Sequence, residues 1–165
     1  MNVLELFTPI KTFVFDIDGV LTNAQLLATE EGHLLRSVNI KDGYAIQLAV
    51  KKGYHLWIIS GGTSAAMQTR FHNLGMKDVH IRVQDKKALL QELIAKYNTP
   101  PETILYMGDD MPDLAVMQLC GLPAAPADAC AEIKAVSKYI SPINGGMGCV
   151  RDVIEKVLKL NGDWE

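Results

Sequence analysis

Asp16 and Asp18 stand one residue apart, directly after the apolar run Phe13-Val14-Phe15 and just before Gly19. An isolated ionised carboxylate in apolar surroundings is prohibitively costly, so the pair belongs at an open strand end where a cation can neutralise it. A carboxylate placed there can attack phosphorus and form an aspartyl phosphate. A second carboxylate two residues on can handle the proton of a leaving alcohol. Gly108-Asp109-Asp110-Met111-Pro112-Asp113 repeats the pattern after a second apolar run. Carboxylates this crowded repel one another, and an oxygen-ligated Mg²⁺ held with some waters and a phosphate resolves the repulsion. Ser60 precedes Gly61-Gly62, and a hydroxyl beside the amides of a glycine turn is a natural phosphate-oxygen site. Lys86 and Lys87 open a helix, where positive charge opposes the dipole. Such locally unfavourable placements mark functional sites, and Lys86 is the better candidate of the two.

The elements that must position these groups follow from apolar periodicity and breakers. Strands are expected at 12–15, 55–60, 79–83, 103–107, 122–125 and 138–140. Helices are expected at 42–53 with Asp42 as cap, 63–74, from 85 to about 97, 114–119, 128–135 and 149–160. Glu30-Glu31-Gly32 sits between two short segments and predicts a β-hairpin at about 24–37. It carries Leu26, Leu27, Leu34 and Leu35, more than a solvated hairpin needs. Its apolar face suits either a partner surface or packing on its own domain. Strands alternating with helices at this rhythm call for an α/β fold: a Rossmann-like, mostly parallel sheet with helices on both faces. Ligands of such folds bind beyond the carboxyl ends of the strands, and Asp16, Asp18, Ser60 and Asp109 all fall there.

The 165 residues fit one domain, 1–165, without a linker or repeat. A net charge of −3 argues against a nucleic-acid partner. Neither a signal peptide nor a membrane-spanning run is expected. Cys120, Cys130 and Cys149 have no CxxC spacing and read as buried, reduced thiols of a cytoplasmic protein. His33, His55, His72 and His80 have no ligand spacing.

Asp16-Ile-Asp18-Gly-Val, Ser60-Gly, Lys86 and Gly108-Asp-Asp-x-x-Asp113 match, in order, the four motifs of the haloacid dehalogenase superfamily of phosphatases, which the chain resembles. The resemblance implies that Asp16 is the nucleophile and Asp18 the general acid and then base. Ser60 would bind a phosphoryl oxygen, and Lys86 would stabilise the phosphoryl charge. Mg²⁺ would be held by Asp16, the backbone carbonyl of Asp18 and Asp109, with Asp110 and Asp113 as outer acidic positions. Only residues 19–59 and 61–85 separate the motifs, which leaves no room for a cap domain. This resembles the capless group that includes octulosonate 8-phosphate phosphatases. Val38-Asn-Ile-Lys-Asp-Gly-Tyr44 and Gly145-Gly-Met-Gly-Cys-Val-Arg151 extend the similarity along the chain. The group implies a sugar-acid phosphate as substrate. It also implies a homotetramer in which a neighbour's hairpin and C-terminal segment close the site, giving a role to Gly162–Glu165, otherwise a frayed tail.

Candidates for the substrate itself are Thr22, Gly61, Gly62, Arg70, Lys41 and Arg151, the cations because a guanidinium or ammonium can hold a substrate carboxylate. Octulosonate phosphatases commonly carry Arg after Ser-Gly, and relatives acting on nine-carbon acids tend to carry Glu-Lys there. Here the residues are Gly62-Thr63. The missing Glu-Lys pair tilts the expectation toward the eight-carbon acid. A signalling receiver domain also combines acidic residues, a Ser or Thr and a Lys. Its order differs, because here the second acidic cluster follows Lys86. A non-catalytic binding protein on the same fold is the weakest alternative, given the intact set of five site residues.

Overall fold

The computed structural model describes residues 2–165. Six strands, β1 (Thr12–Phe15), β4 (His55–Ile59), β5 (Asp78–His80), β6 (Ile104–Met107), β7 (Leu122–Ala125) and β8 (Tyr139–Ile140), form one sheet. Its order is β5-β4-β1-β6-β7-β8, and every pairing is parallel. A separate antiparallel hairpin, β2 (Leu27–Ala28) and β3 (Leu34–Leu35), projects from the connection after β1. The helices are α1 (Ile40–Lys51), α2 (Ala65–Asn73), α3 (Lys86–Tyr97), α4 (Leu114–Met117), α5 (Ala131–Val136) and α6 (Cys149–Leu160).

The central strands are apolar on both sides, as a covered parallel sheet requires. Phe13, Phe15, Leu56, Ile58, Leu105 and Met107 face one core with residues of α1, α2 and α6. Val14, Trp57, Ile59, Ile104 and Tyr106 face the other with α3, α4 and α5. Because β1 pairs with β4 on one side and β6 on the other, the strand order reverses beside β1. Phe15 is level with both Ile58 and Met107, so the residues that follow emerge together on one rim. A crevice at such a reversal is where open α/β sheets bind ligands.

Several sequence expectations need correction. The strand expected at 79–83 lies at 78–80, because Arg82 takes a left-handed conformation (φ 59°) that ends the extended run. The cap of α1 is Asn39, whose side chain accepts from the amides of Lys41 and Asp42. Asp42 is instead buried in the first turn, accepts the Arg151 amide at 2.8 Å, and is pushed up to about 6, mainly by burial. The tail at 162–165 is docked on its own chain: Trp164 packs edge-on against Tyr44, and Tyr54 donates to Asp163. Cys120 and Cys149 are buried as expected, whereas Cys130 is half-exposed. The hairpin leucines 26, 27, 34 and 35 are all exposed, so the hairpin does not pack them on its own domain. Among the described residues no helix is long and apolar enough to cross a membrane.

Candidate active site

β1 is buried along its whole length and delivers Asp16 to the rim. There Asp16 Oδ1 accepts the Ile17 amide at 2.7 Å, starting a wide turn over Ile17–Leu21. Gly19 turns the backbone with φ +88°, and the buried Thr22 hydroxyl oxygen accepts the amides of Gly19 and Ala24. Gly19 lies so close to Asp109 that a Cβ there would sit 1.8 Å from Asp109 Oδ2. The turn therefore both presents Asp18 and lets the β1 and β6 loops meet.

Ser60 follows β4 and is buried, with its Oγ accepting the Gly62 amide at 3.1 Å. The Gly62 carbonyl accepts the Arg82 amide, which ties this loop to the one leading into α3. Asp85 caps α3 through the Ala88 amide, and Lys86 is the first residue of the helix. Its ammonium is drawn inward instead of to solvent: Nζ lies 3.0 Å from Asp16 Oδ2 and 2.8 Å from Asp113 Oδ1. Burial alone would lower the Lys86 pKa, but the two carboxylates hold it above the ordinary lysine value.

Asp113 is completely buried. Besides Lys86, it accepts from the Tyr106 hydroxyl at 2.9 Å and the Asp109 amide at 3.1 Å. Asp110 is exposed and caps the short turn Met111–Asp113 through the Met111 amide. Carboxylate oxygens of Asp16, Asp109 and Asp113 lie within 4.8 Å of one another. Among the described residues this is the one group of side chains able to share a metal. Burial, then repulsion from Asp113, pushes the Asp16 carboxyl up to about 7 despite Lys86. Burial and the Asp16 and Asp113 charges push Asp109 up to about 8. Three carboxylates facing one ammonium leave negative charge uncompensated, and the donors are all oxygen. That set fits a hard dication such as Mg²⁺. Asp16, Asp18, Ser60, Gly61, Gly62, Lys86, Asp109 and Asp110 together line a cavity of about 540 Å³, completed by Ala24, Val83, Gln84 and Pro112.

Residues 81–154 match the family described as haloacid dehalogenase-like hydrolase. Over 157 residues, 95% of this chain and 84% of the relative, the sequence is 31% identical to the 3-deoxy-D-manno-octulosonate 8-phosphate phosphatase of Yersinia pestis. The crystal structure of the Yersinia pestis phosphatase superposes with a TM-score of 0.94 at 30% identity, covering 98% of this chain and 87% of that one. A structure of the phosphatase from Moraxella catarrhalis, in complex with magnesium ion, phosphate ion and a KDO molecule, superposes with a TM-score of 0.90 at 32% identity. It covers 95% of this chain and 90% of the other.

The chain belongs to the haloacid dehalogenase superfamily. It is a phosphoric monoester hydrolase of the capless kind, and Mg²⁺ is its cofactor.

Four residues expected at the substrate are not brought to the phosphatase's acidic pocket. Thr22 is spent on the turn after Asp16. Lys41 and Arg151 border a separate groove with Met147 and Lys159. Arg151 is paired with Glu155 at 3.1 Å and lies over the Trp164 ring. Arg70 lies against α1, with Nη2 2.8 Å from where a Gly43 Cβ would be. These cations belong to helices whose side chains point across the α1–α2–α6 layer, and sequence spacing does not reveal that direction.

One side chain that reaches the site was missed. Arg36, at the end of the hairpin, forms a two-point ion pair with Asp18: Nε to Oδ1 at 2.7 Å and Nη2 to Oδ2 at 3.2 Å. A signal existed, since Arg36 is the only Lys or Arg within 24–37. A lone cation in an apolar hairpin needs a partner, and the acidic candidates on its N-terminal side are Glu30-Glu31 at the hairpin turn and Asp16-Ile-Asp18 before it.

Proposed function

We propose that the phosphatase hydrolyses 3-deoxy-D-manno-octulosonate 8-phosphate to the free sugar acid and phosphate, in lipopolysaccharide precursor synthesis in the cytoplasm. The observation that carries this reading is the near full-length similarity to phosphatases of that ester, over a pocket with no cap to exclude a substrate of that size. Asp16 attacks phosphorus; the bond from phosphorus to the sugar oxygen breaks as Asp18 protonates that oxygen, leaving an aspartyl phosphate on Asp16. A water then attacks the same phosphorus while Asp18 accepts its proton, which releases phosphate and restores the Asp16 carboxylate.

Lys86 serves the reaction from a fixed place. Held between Asp16 and Asp113, its ammonium keeps Asp16 oriented and faces the oxygens of the transferring phosphoryl group. Ser60, Gly61 and Gly62 line the wall where those oxygens would lie. Asp16, Asp109 and the backbone carbonyl of Asp18 would hold Mg²⁺, which when bound would neutralise charge for the approach of a carboxylate to a phosphate dianion. Asp113, whose oxygens already accept from Lys86, Tyr106 and the Asp109 amide, and the exposed Asp110 would act outside that ligand set. A homotetramer, as the capless group implies, would bury the exposed hairpin leucines.

The test is phosphate release with Mg²⁺ on a panel of the eight-carbon octulosonate ester, nine-carbon acid 9-phosphates and hexose phosphates, with Asp16→Asn as control. Preference for the eight-carbon ester, lost in Asp16→Asn, is the expected result. Preference for a nine-carbon acid keeps the chemistry and removes the assigned substrate.

A further inference from the structure

Arg36 is unused by the reaction just described, yet it is bound to one of its central groups. Its fork engages both oxygens of Asp18, and Nη1 reaches the Leu34 carbonyl at 3.4 Å. The Arg36 side chain is only 8% exposed while that of Asp18 is 37% exposed, and Asp18, not Arg36, lines the catalytic pocket. Asp18 therefore covers the guanidinium on the pocket side. On its other side Arg36 borders the hairpin groove with Leu26, Leu27 and Leu35. Among the described residues Arg36 has no other ion-pair partner.

The acid–base work assigned to Asp18 requires its carboxyl to turn to the ester oxygen, and turning the planar group breaks both bonds of the fork. That movement uncovers a nearly buried guanidinium, and a buried charge stripped of its partner is strongly unfavourable. An incoming carboxylate can take both vacated bonds with the same planar geometry. Space for one exists beside the pair, because Asp18, Ser60 and Gly62 line the same cavity of about 540 Å³. A Cβ on residue 62 would already crowd the pair, at 3.2 Å from Asp18 Oδ2, 3.3 Å from Ser60 Oγ and 3.8 Å from Arg36 Nη2. Glycine at that position keeps the approach to the fork clear of a side chain.

We propose that Arg36 selects for a carboxylate on the substrate, and that Asp18 holds the place of that carboxylate until substrate arrives. The inference rests on the reading of a sugar-acid phosphate as substrate and adds the residue that recognises the acid. It also links recognition to chemistry. An ester with a carboxylate releases Asp18 by replacing it on Arg36. An ester without one leaves the guanidinium bare when Asp18 turns, so it reacts more slowly for the same phosphoryl group.

The experiment compares full-length wild type, Arg36→Gln and Arg36→Lys, with Mg²⁺, on octulosonate 8-phosphate and on the matched pair 6-phosphogluconate and glucose 6-phosphate. In Arg36→Gln the ratio of kcat/KM for acid over neutral ester should fall about ten- to a hundredfold, the range for losing a charge-assisted pair. KM of the acid esters should carry the loss, and glucose 6-phosphate turnover should rise. Inhibition by the free sugar acid should weaken in step, while inhibition by inorganic phosphate should not. Arg36→Lys, which keeps the charge but not the fork, should retain part of the preference and keeps the test open if Arg36→Gln folds poorly. Acid and neutral esters losing rate in parallel would assign Arg36 a purely structural role and overturn the inference. A wild type that turns over glucose 6-phosphate as well as 6-phosphogluconate and octulosonate 8-phosphate would overturn the substrate reading itself.

Discussion

Asp113 Oδ1 accepts a hydrogen bond from Lys86 Nζ at 2.8 Å, with Asp113 fully buried and Lys86 nearly so. The bond joins the loop after β6 to the first turn of α3. It holds an ammonium at a helix N-terminus that would otherwise repel it. Removing Asp113 leaves Lys86 paired with Asp16 but strips the buried Tyr106 hydroxyl and the Asp109 amide of their acceptor, at a cost of about 1–3 kcal/mol. Asp113→Ala should therefore lower stability by that order in urea titration and lose most activity. Asp113→Asn keeps the shape and an acceptor for Lys86, so it should lose less stability. A stable Asp113→Ala protein with wild-type activity would remove the pair from both roles.

The metal-free site should be a proton store near neutral pH. Asp16 and Asp109 are pushed up to about 7 and about 8, chiefly by burial. Carboxyls whose folded pKa exceeds the unfolded value hold protons in the folded state that the unfolded chain has released. Their contribution to stability is thus complete below about pH 4 and is lost as pH rises through 7 to 8. Without metal, Tm should fall across that range, after allowing for Asp42, which titrates lower. Mg²⁺ requires the carboxylates ionised, so its binding should release protons and raise Tm most at pH 8. Calorimetry of Mg²⁺ binding in buffers of different ionisation heat measures the protons directly. No buffer dependence at pH 7 would contradict the clustered geometry.

Much of this site was legible because its residues interrupt strong local signals. Asp16, Ser60 and Asp109 each end an apolar run, and parallel strands bring such ends to one rim whatever lies between them. Lys86 was legible as a charge in the wrong place on a helix. Arg36 was not singled out, because its partner lies 18 residues earlier and the two meet only when the hairpin folds over the turn. Arg70, Lys41 and Arg151 do not line the acidic pocket of their own chain for a related reason. Side-chain type gave their chemistry, but the direction in which each projects depends on how the helices pack. The Val79–Val83 run had the composition of a strand, and the left-handed Arg82 ended it early.

Gly19 should be irreplaceable for the metal although it donates no side chain. Its φ of +88° is one that alanine rarely adopts, and an added Cβ would overlap Asp109 Oδ2 at 1.8 Å. In Gly19→Ala the Asp109 carboxylate must move, and misplacing a reacting group by about 1 Å costs about a hundredfold in rate. The core of the sheet lies below this contact, so the variant should still fold. Mg²⁺ should no longer raise its Tm, and phosphate release should fall by at least that factor. Wild-type Mg²⁺ affinity in this variant would mean that Asp109 is not a ligand.

Gly162–Glu165 should matter first for stability. The Tyr44 hydroxyl donates to the Glu165 carbonyl at 2.7 Å, Tyr54 to Asp163 at 2.8 Å, and Lys52 pairs with Glu165 at 3.2 Å. Trp164 packs with the Tyr44 ring and the Arg151 guanidinium, 5.9 and 5.0 Å from them, in a cluster where Arg151 also lies over Tyr44 at 5.8 Å. The exposed ion pair contributes little, so the indole carries most of the effect through apolar area and its cation–π contact. Removing residues 162–165 should cost about 1–3 kcal/mol, read as an earlier urea midpoint, because the contacts of Trp164 with Tyr44 and Arg151 are lost. None of the tail's partners lines the catalytic pocket, so kcat and KM of the folded truncated protein should stay near those of the full chain. An unchanged urea midpoint with altered KM would show the opposite: that the tail leaves its own α1 and works at a substrate site.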